Sequence, residues 1–141
     1  MKTKFYPKRI VKSFRDLDVY QKTFSNSVEV MKKIVPEVKD SPLRDRIIES
    51  GLSIPNLIAE AHSHRFDDFK KACDLMDESM AECNKVVVYL EQARDIHNTD
   101  KIITEEIIKN YINTRWKILN LQRAWKKFQE KYEEKRGMKQ E

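Results

Sequence analysis

The residues of this chain best equipped for chemistry sit together in LSIPNLIAEAHSHR, residues 52–65, where Glu60, His62 and His64 follow an apolar run interrupted by Pro55. A carboxylate and two imidazoles invite a metal-ligand or acid–base reading. A di-metal centre in a helix bundle needs a glutamate from each of two helices and two Glu-x-x-His pairs, because a spacing of three sets both ligands on one inward face. The chain has no Glu-x-x-His, and its three histidines are His62, His64 and His97. On a helix His62 and His64 point about 200° apart, so they serve one metal only if the helix ends there. Glu60 and His64, four apart, share a face, an arrangement that suits a hydrogen bond or a charge near the helix C-terminus better than a site. Gly-rich phosphate loops, GxSxG and CxxC are all missing, and two glycines in 141 residues leave almost no material for a phosphate-cradling loop. The expectation is no enzyme, no metal and no cofactor.

Cys73 and Cys83 lie ten residues apart on one predicted helix, roughly 15 Å along its axis. That distance forbids a disulfide between them and leaves both as small buried hydrophobes in a reducing compartment. No run of about 18 apolar residues offers a membrane span, and MKTKFYPKRIVK lacks the continuous apolar stretch of a signal peptide. A cytoplasmic protein is expected, with no membrane partner.

The elements that must position these residues read as helices throughout, since four prolines and two glycines leave little turn chemistry for sheets. Ser13 and Asp16 form a capping-box variant, and Phe14, Leu17, Gln21, Phe24, Val28, Met31 and Val35 recur on one predicted face until Pro36 ends the helix. After EVKDS, Ser41 caps a second helix with Pro42 at its first position. That helix carries Leu43, Ile47, Gly51, Ile54, Ile58 and Ala61, with a bend expected at Pro55. A third begins near Phe66, places Phe69, Cys73, Met76, Met80, Cys83, Val87 and Leu90 in a stripe, and stops at His97-Asn98. The fourth, from Thr99 or Thr104 into the 130s, repeats Ile107, Tyr111, Thr114, Ile118, Leu121, Trp125, Phe128 and Tyr132 at seven-residue spacing.

Four amphipathic helices with short connections predict an all-α, antiparallel up-down-up-down bundle. Residues 1–13 form a basic arm, 14–128 the bundle and 129–141 a basic extension of the fourth helix. The fourth helix carries a second stripe, Ile108, Ile112, Trp116 and Leu119, more apolar surface than one seam uses. Either it sits deep and buries both stripes, or the second stripe packs on other copies; a homo-oligomer is the expectation.

Charge is segregated. Residues 1–13 hold Lys2, Lys4, Lys8, Arg9 and Lys12 without an acid; residues 115–141 hold nine Lys or Arg against four Glu; the body between is net acidic. Clustered cations gain phosphate affinity by releasing counterions, without reading sequence. The N-terminal five, with Arg123, Lys126, Lys127, Lys131, Lys135 and Arg136, are the candidate nucleic-acid contacts, RNA favoured, and repetition in an oligomer raises avidity. The alternatives are solubilising tails, or a protein-interaction module with no nucleic-acid role.

Three stretches carry a resemblance. FRDLDVYQ, Phe14 to Gln21, follows the pattern Phe-basic-Asp-Leu-x-Val-aromatic-Gln; SIPNLIAEA, Ser53 to Ala61, with Arg65 is similar to Ser-Ile-x-x-Asn-Ile-Ala-Glu-Gly followed by arginine, with Leu57 and Ala61 departing from its asparagine and glycine; ECNKVVVYLEQARDI resembles the end of the third helix. Together they resemble the four-helix-bundle proteins encoded in intervening sequences of bacterial large-subunit ribosomal RNA genes. The resemblance implies a bundle assembling into a five-membered ring without established enzymatic activity, and makes LSIPNLIAEAHSHR a structural signature in which Glu60 organises the helix end or a subunit contact. A related branch, the accessory proteins of diversity-generating retroelements, implies a basic ring that binds nucleic acid and docks a reverse transcriptase.

Overall fold

A computed structural model of the chain describes residues 12–99 and 101–140, with side chains to residue 137. Among these residues there are four α-helices and no strand: α1 (Asp18–Glu29), α2 (Ser41–His64), α3 (Phe69–His97) and α4 (Glu105–Gln140). Each helix packs on its neighbours in the chain, and α1 closes the circuit against α4. Antiparallel order follows from the bonds between them. Arg94 meets Glu105 at 3.0 Å where α3 hands over to α4, and Gln122 reaches Cys73 and Asp77 toward the opposite end. Asn26 of α1 meets Thr114 of α4 at 2.9 Å, and Lys117 meets Asp18 at 3.4 Å. No described helix is long and apolar enough to cross a membrane.

The sequence-expected face of α2 is the observed one, with Leu43, Ile47, Gly51, Ile54, Ile58 and Ala61 all buried. Its start differs by one residue. Asp40, not Ser41, is the cap, accepting from the Leu43 N–H at 3.1 Å, so Pro42 stands second in the helix. Asp40 also holds His97 Nε2 at 3.0 Å, tying the end of α3 to the start of α2. Pro55 lies buried within α2, where it donates no bond to the Gly51 carbonyl.

The first helix departs more. Ser13 and Asp16 form their capping box, but it closes a 3-10 turn, Phe14–Asp16, after which Leu17 is extended. Because α1 starts only at Asp18, the phase counted from Phe14 holds at its ends, where Leu17 and Val35 are buried, and fails within the helix. The inward residues are Val19, Thr23, Ser27, Val30 and Ile34, while Gln21 and Phe24 are exposed. Thr23 and Ser27 are buried cheaply because each hydroxyl donates to a carbonyl three residues back, at 2.9 and 2.7 Å. Phe24 instead continues an outer aromatic row with Tyr20 and Phe14. Ahead of Pro36, which cannot donate to the helix, the chain widens into a π-helical turn, Val30–Ile34, then tightens into a 3-10 turn, Val35–Glu37.

On α3, capped by Asp68 rather than begun at Phe66, the inward face includes residues that the expected stripe left out. Ala72, Ser79, Val86 and Ala93 face inward with Met76, Met80, Cys83 and Leu90, and Cys73 and Val87 turn to the flank. α3 ends where expected: Asn98 adopts the left-handed conformation at φ 56°, a position that asparagine tolerates among non-glycine residues. Ile103 then plugs the core, and Thr104 accepts from the Ile107 N–H at 3.4 Å as α4 begins.

Candidate nucleic-acid interface

Helix lengths set the site. At about 1.5 Å per residue, α2, α3 and α4 with 24, 29 and 36 residues run roughly 36, 43 and 54 Å. α4 therefore outruns the bundle, and from Lys126 to Gly137 every described residue is exposed apart from the partly buried Gln129. At about 100° per residue, Lys127, Phe128, Lys131, Tyr132 and Lys135 occupy an arc of roughly 140° that contains no acid. Glu130, Glu133 and Glu134 fall outside it, and Glu133 accepts from Gln129 at 3.3 Å. Phe128 and Tyr132, expected to continue the core seam, are 59% and 54% exposed on a stretch of α4 past the end of α2.

The base of this arm meets the signature of α2. The His62 and Trp125 rings approach to 6.2 Å, and Phe66, in the turn after α2, lies 6.4 Å from Phe128. Arg65 lies over the Phe66 ring, 4.2 Å from its centroid, and its Nη1 donates to the His62 carbonyl at 2.7 Å. The same nitrogen stands 3.1 Å from His62 Nδ1. Arginine has no acceptor, so Nδ1 must accept and the proton of a neutral His62 resides on Nε2. Burial, and then the Arg65 charge, hold His62 below its ordinary pKa.

His64 turns instead toward Asp67, at 3.5 Å, and Glu60 is exposed, its carbonyl accepting from the Ser63 hydroxyl. The three residues that opened the chemical question therefore do not converge. Among the described residues no cluster of three His, Cys, Asp or Glu side chains is placed to hold a metal ion. Burial pushes the Cys83 thiol up to about 12 and the Cys73 thiol in the same direction, which disfavours the nucleophilic thiolate of both. A polar cleft of about 290 Å³ between α1 and α4, with Asn26, Asn110, Asn113 and Lys117 on its walls, is bridged by the Asn26–Thr114 bond.

Of the expected phosphate contacts, Lys127, Lys131 and Lys135 share the acid-free arc. Arg123 and Lys126 are exposed on the arc that also carries glutamates, and Arg136 lies apart from both. Lys12 is exposed; Lys2, Lys4, Lys8 and Arg9 lie outside the described residues. The second stripe divides as well. Ile108 is 2% exposed and belongs to the chain's own core, and Leu119 packs against that core, whereas Ile112 and Trp116 are 40% and 53% exposed. The register set by Arg94–Glu105 and Asp77–Gln122 brings Ile112 opposite Val87, next to the exposed Val88. Sequence reasoning missed Phe66 and the buried Gln122.

The fold and this uncovered end define a four-helix bundle with one overhanging basic helix. A model of the 23S rRNA-intervening sequence protein family matches residues 15–120. The chain belongs to that family. The match stops short of the arm, which begins beyond it. No curated protein and no solved structure matches the chain.

Proposed function

We propose that this protein is a non-enzymatic, homo-oligomeric scaffold of the cytoplasm that binds nucleic-acid backbone, structured RNA above all, through its basic ends. The observation that carries this reading is the arm of α4: Lys127, Lys131 and Lys135 at four-residue steps on an acid-free face that no other element covers. Such a row attracts phosphate by charge and counterion release, and specificity comes from the shape of the nucleic acid. Exposed Ile112 and Trp116 support association between copies, since an apolar pair of this size on a solvent face gains by being covered. A five-membered ring rests on the resemblance of FRDLDVYQ and SIPNLIAEA to the intervening-sequence family, and service as the accessory subunit of a reverse transcriptase in a diversity-generating retroelement rests on the basic ends, which suit that related branch.

The reading is tested by fluorescence anisotropy with a structured RNA across a salt series. Affinity should fall steeply with salt, and the charge reversals Lys126→Glu, Lys127→Glu and Lys131→Glu together should abolish binding, while reversing one lysine alone should reduce the salt slope by about one. Binding indifferent to salt and to those lysines would refute it. The same exposed Ile112–Trp116 pair favours a second reading, a protein-interaction module in which nucleic acid plays no part. Trp116→Glu should yield smaller particles in light scattering under either reading, and an unchanged mass would remove Trp116 from any interface between copies.

A further inference from the structure

The arm carries more than charge. Phe128 and Tyr132 stand one turn apart, about 6 Å along the helix, both more than half exposed, and each is followed three residues later by a lysine, Lys131 or Lys135. Phe66 extends the row at its base, with Arg65 across one face of its ring and Phe128 beside it. Pure backbone attraction has no use for aromatic rings held in water. Rings interleaved with cations suit a strand whose bases are unpaired, because every base offers a face to stack on while lysines take the phosphates.

We propose that this face binds unpaired, single-stranded segments of RNA, stacking bases on Phe128 and Tyr132 and pairing phosphates with Lys127, Lys131 and Lys135. The inference rests on the nucleic-acid reading above and narrows it. A continuous duplex keeps its bases stacked on one another and presents only backbone to this face. The rings are therefore idle on a duplex and engaged on a loop, bulge or free end. Stacking of this kind tolerates any base, so little sequence preference accompanies it.

The test compares the full-length chain on two fluorescein-labelled probes, an unstructured RNA of about 16 nucleotides and a blunt duplex of the same sequence. The double variant Phe128→Ala, Tyr132→Ala should weaken single-strand binding at least about tenfold and alter duplex binding less than about twofold. Phe128→Trp should retain the affinity, since another ring serves. Both positions are exposed, so helical content by circular dichroism and particle mass should match the parent. If the alanine pair binds the single strand as tightly as the parent while Lys127→Glu with Lys131→Glu loses both probes, the stacking role is overturned and the backbone reading stands. Should the parent bind neither probe at low salt, both readings fall. A loss of particle mass in the alanine pair would assign the rings to subunit packing and overturn the stacking role.

Discussion

The two halves of α4 carry the same seven-residue pattern and meet opposite fates. Up to residue 122, Ile107, Tyr111, Thr114 and Ile118 are buried against the other helices, and Gln122 joins them. Beyond it the pattern continues through Trp125, Phe128 and Tyr132, but Trp125 is only partly buried and the other two are exposed. Nothing in the side chains themselves explains the change. The cause is the length of the partners: at the level of Phe128 α2 has ended and only the first turn of α3 remains, and a single helix cannot bury its own stripe. A hydrophobic period therefore announces a face that a helix can bury, not that a neighbour exists to cover it.

Substitutions at either end of this contrast should separate widely. Ile118→Ala removes a fully buried side chain and is expected to cost about 2–5 kcal/mol in urea denaturation. Gln122→Ala should cost less, about 1–2 kcal/mol, because the amide bonds the Asp77 carboxylate at 2.8 Å and the Cys73 carbonyl at 3.1 Å, while Asp77 remains within reach of water.

The junction between the halves should respond to pH. His62 favours its neutral form in the folded chain, so its contribution is complete above the ordinary histidine value of about 6.5 and is lost as pH falls below it. Protonation would set a donor at Nδ1 against Arg65. The melting temperature should therefore drop between pH 7.5 and 5.5, and His62→Gln should flatten that drop; equal slopes for the two proteins would show that His62 is not the responsible group. Smallest of all, Tyr132→Ala should leave stability within about 0.5 kcal/mol of the parent, since the residue is 54% exposed. A cost near that of Ile118→Ala would mean that the arm is covered in solution, and the contrast would collapse.

How far the sequence could be read depends on how directly each element expresses its own packing. α2 was legible because Ile47, Ile54 and Ile58 recur at helical spacing and all three go inside. α1 was not, because Phe24 outranks Thr23 and Ser27 on any scale of hydrophobicity, yet the hydroxyls go in and the ring stays out. Two features decided this: an extended Leu17 that reset the helical phase, and hydroxyl bonds to the helix's own carbonyls that lowered the cost of burying Thr23 and Ser27. On α3 the inward Ala72, Ser79 and Ala93 were passed over because small side chains add little to an apolar stripe read from sequence. Of the candidate site, the lysines were legible as a cluster on a helix expected to run into the 130s, but the exposure of Phe128 and Tyr132 beside them was not. The Phe66–Phe128 meeting, 62 positions apart in the chain, had no local signal at all.

By itself the sequence determined an all-helical chain, the number and order of its helices, their breaks at Pro36, near Phe66 and at Asn98, and a cationic last helix, because each depends on propensity, periodicity and charge within a few residues of itself. Only the tertiary structure decided which side of α1 faces inward, that Ile108 is core while Ile112 and Trp116 are not, and that the last turns of α4 stand uncovered beside the α2 signature. Those outcomes depend on where other helices begin and end, and burial is a property of the pair, never of one segment alone.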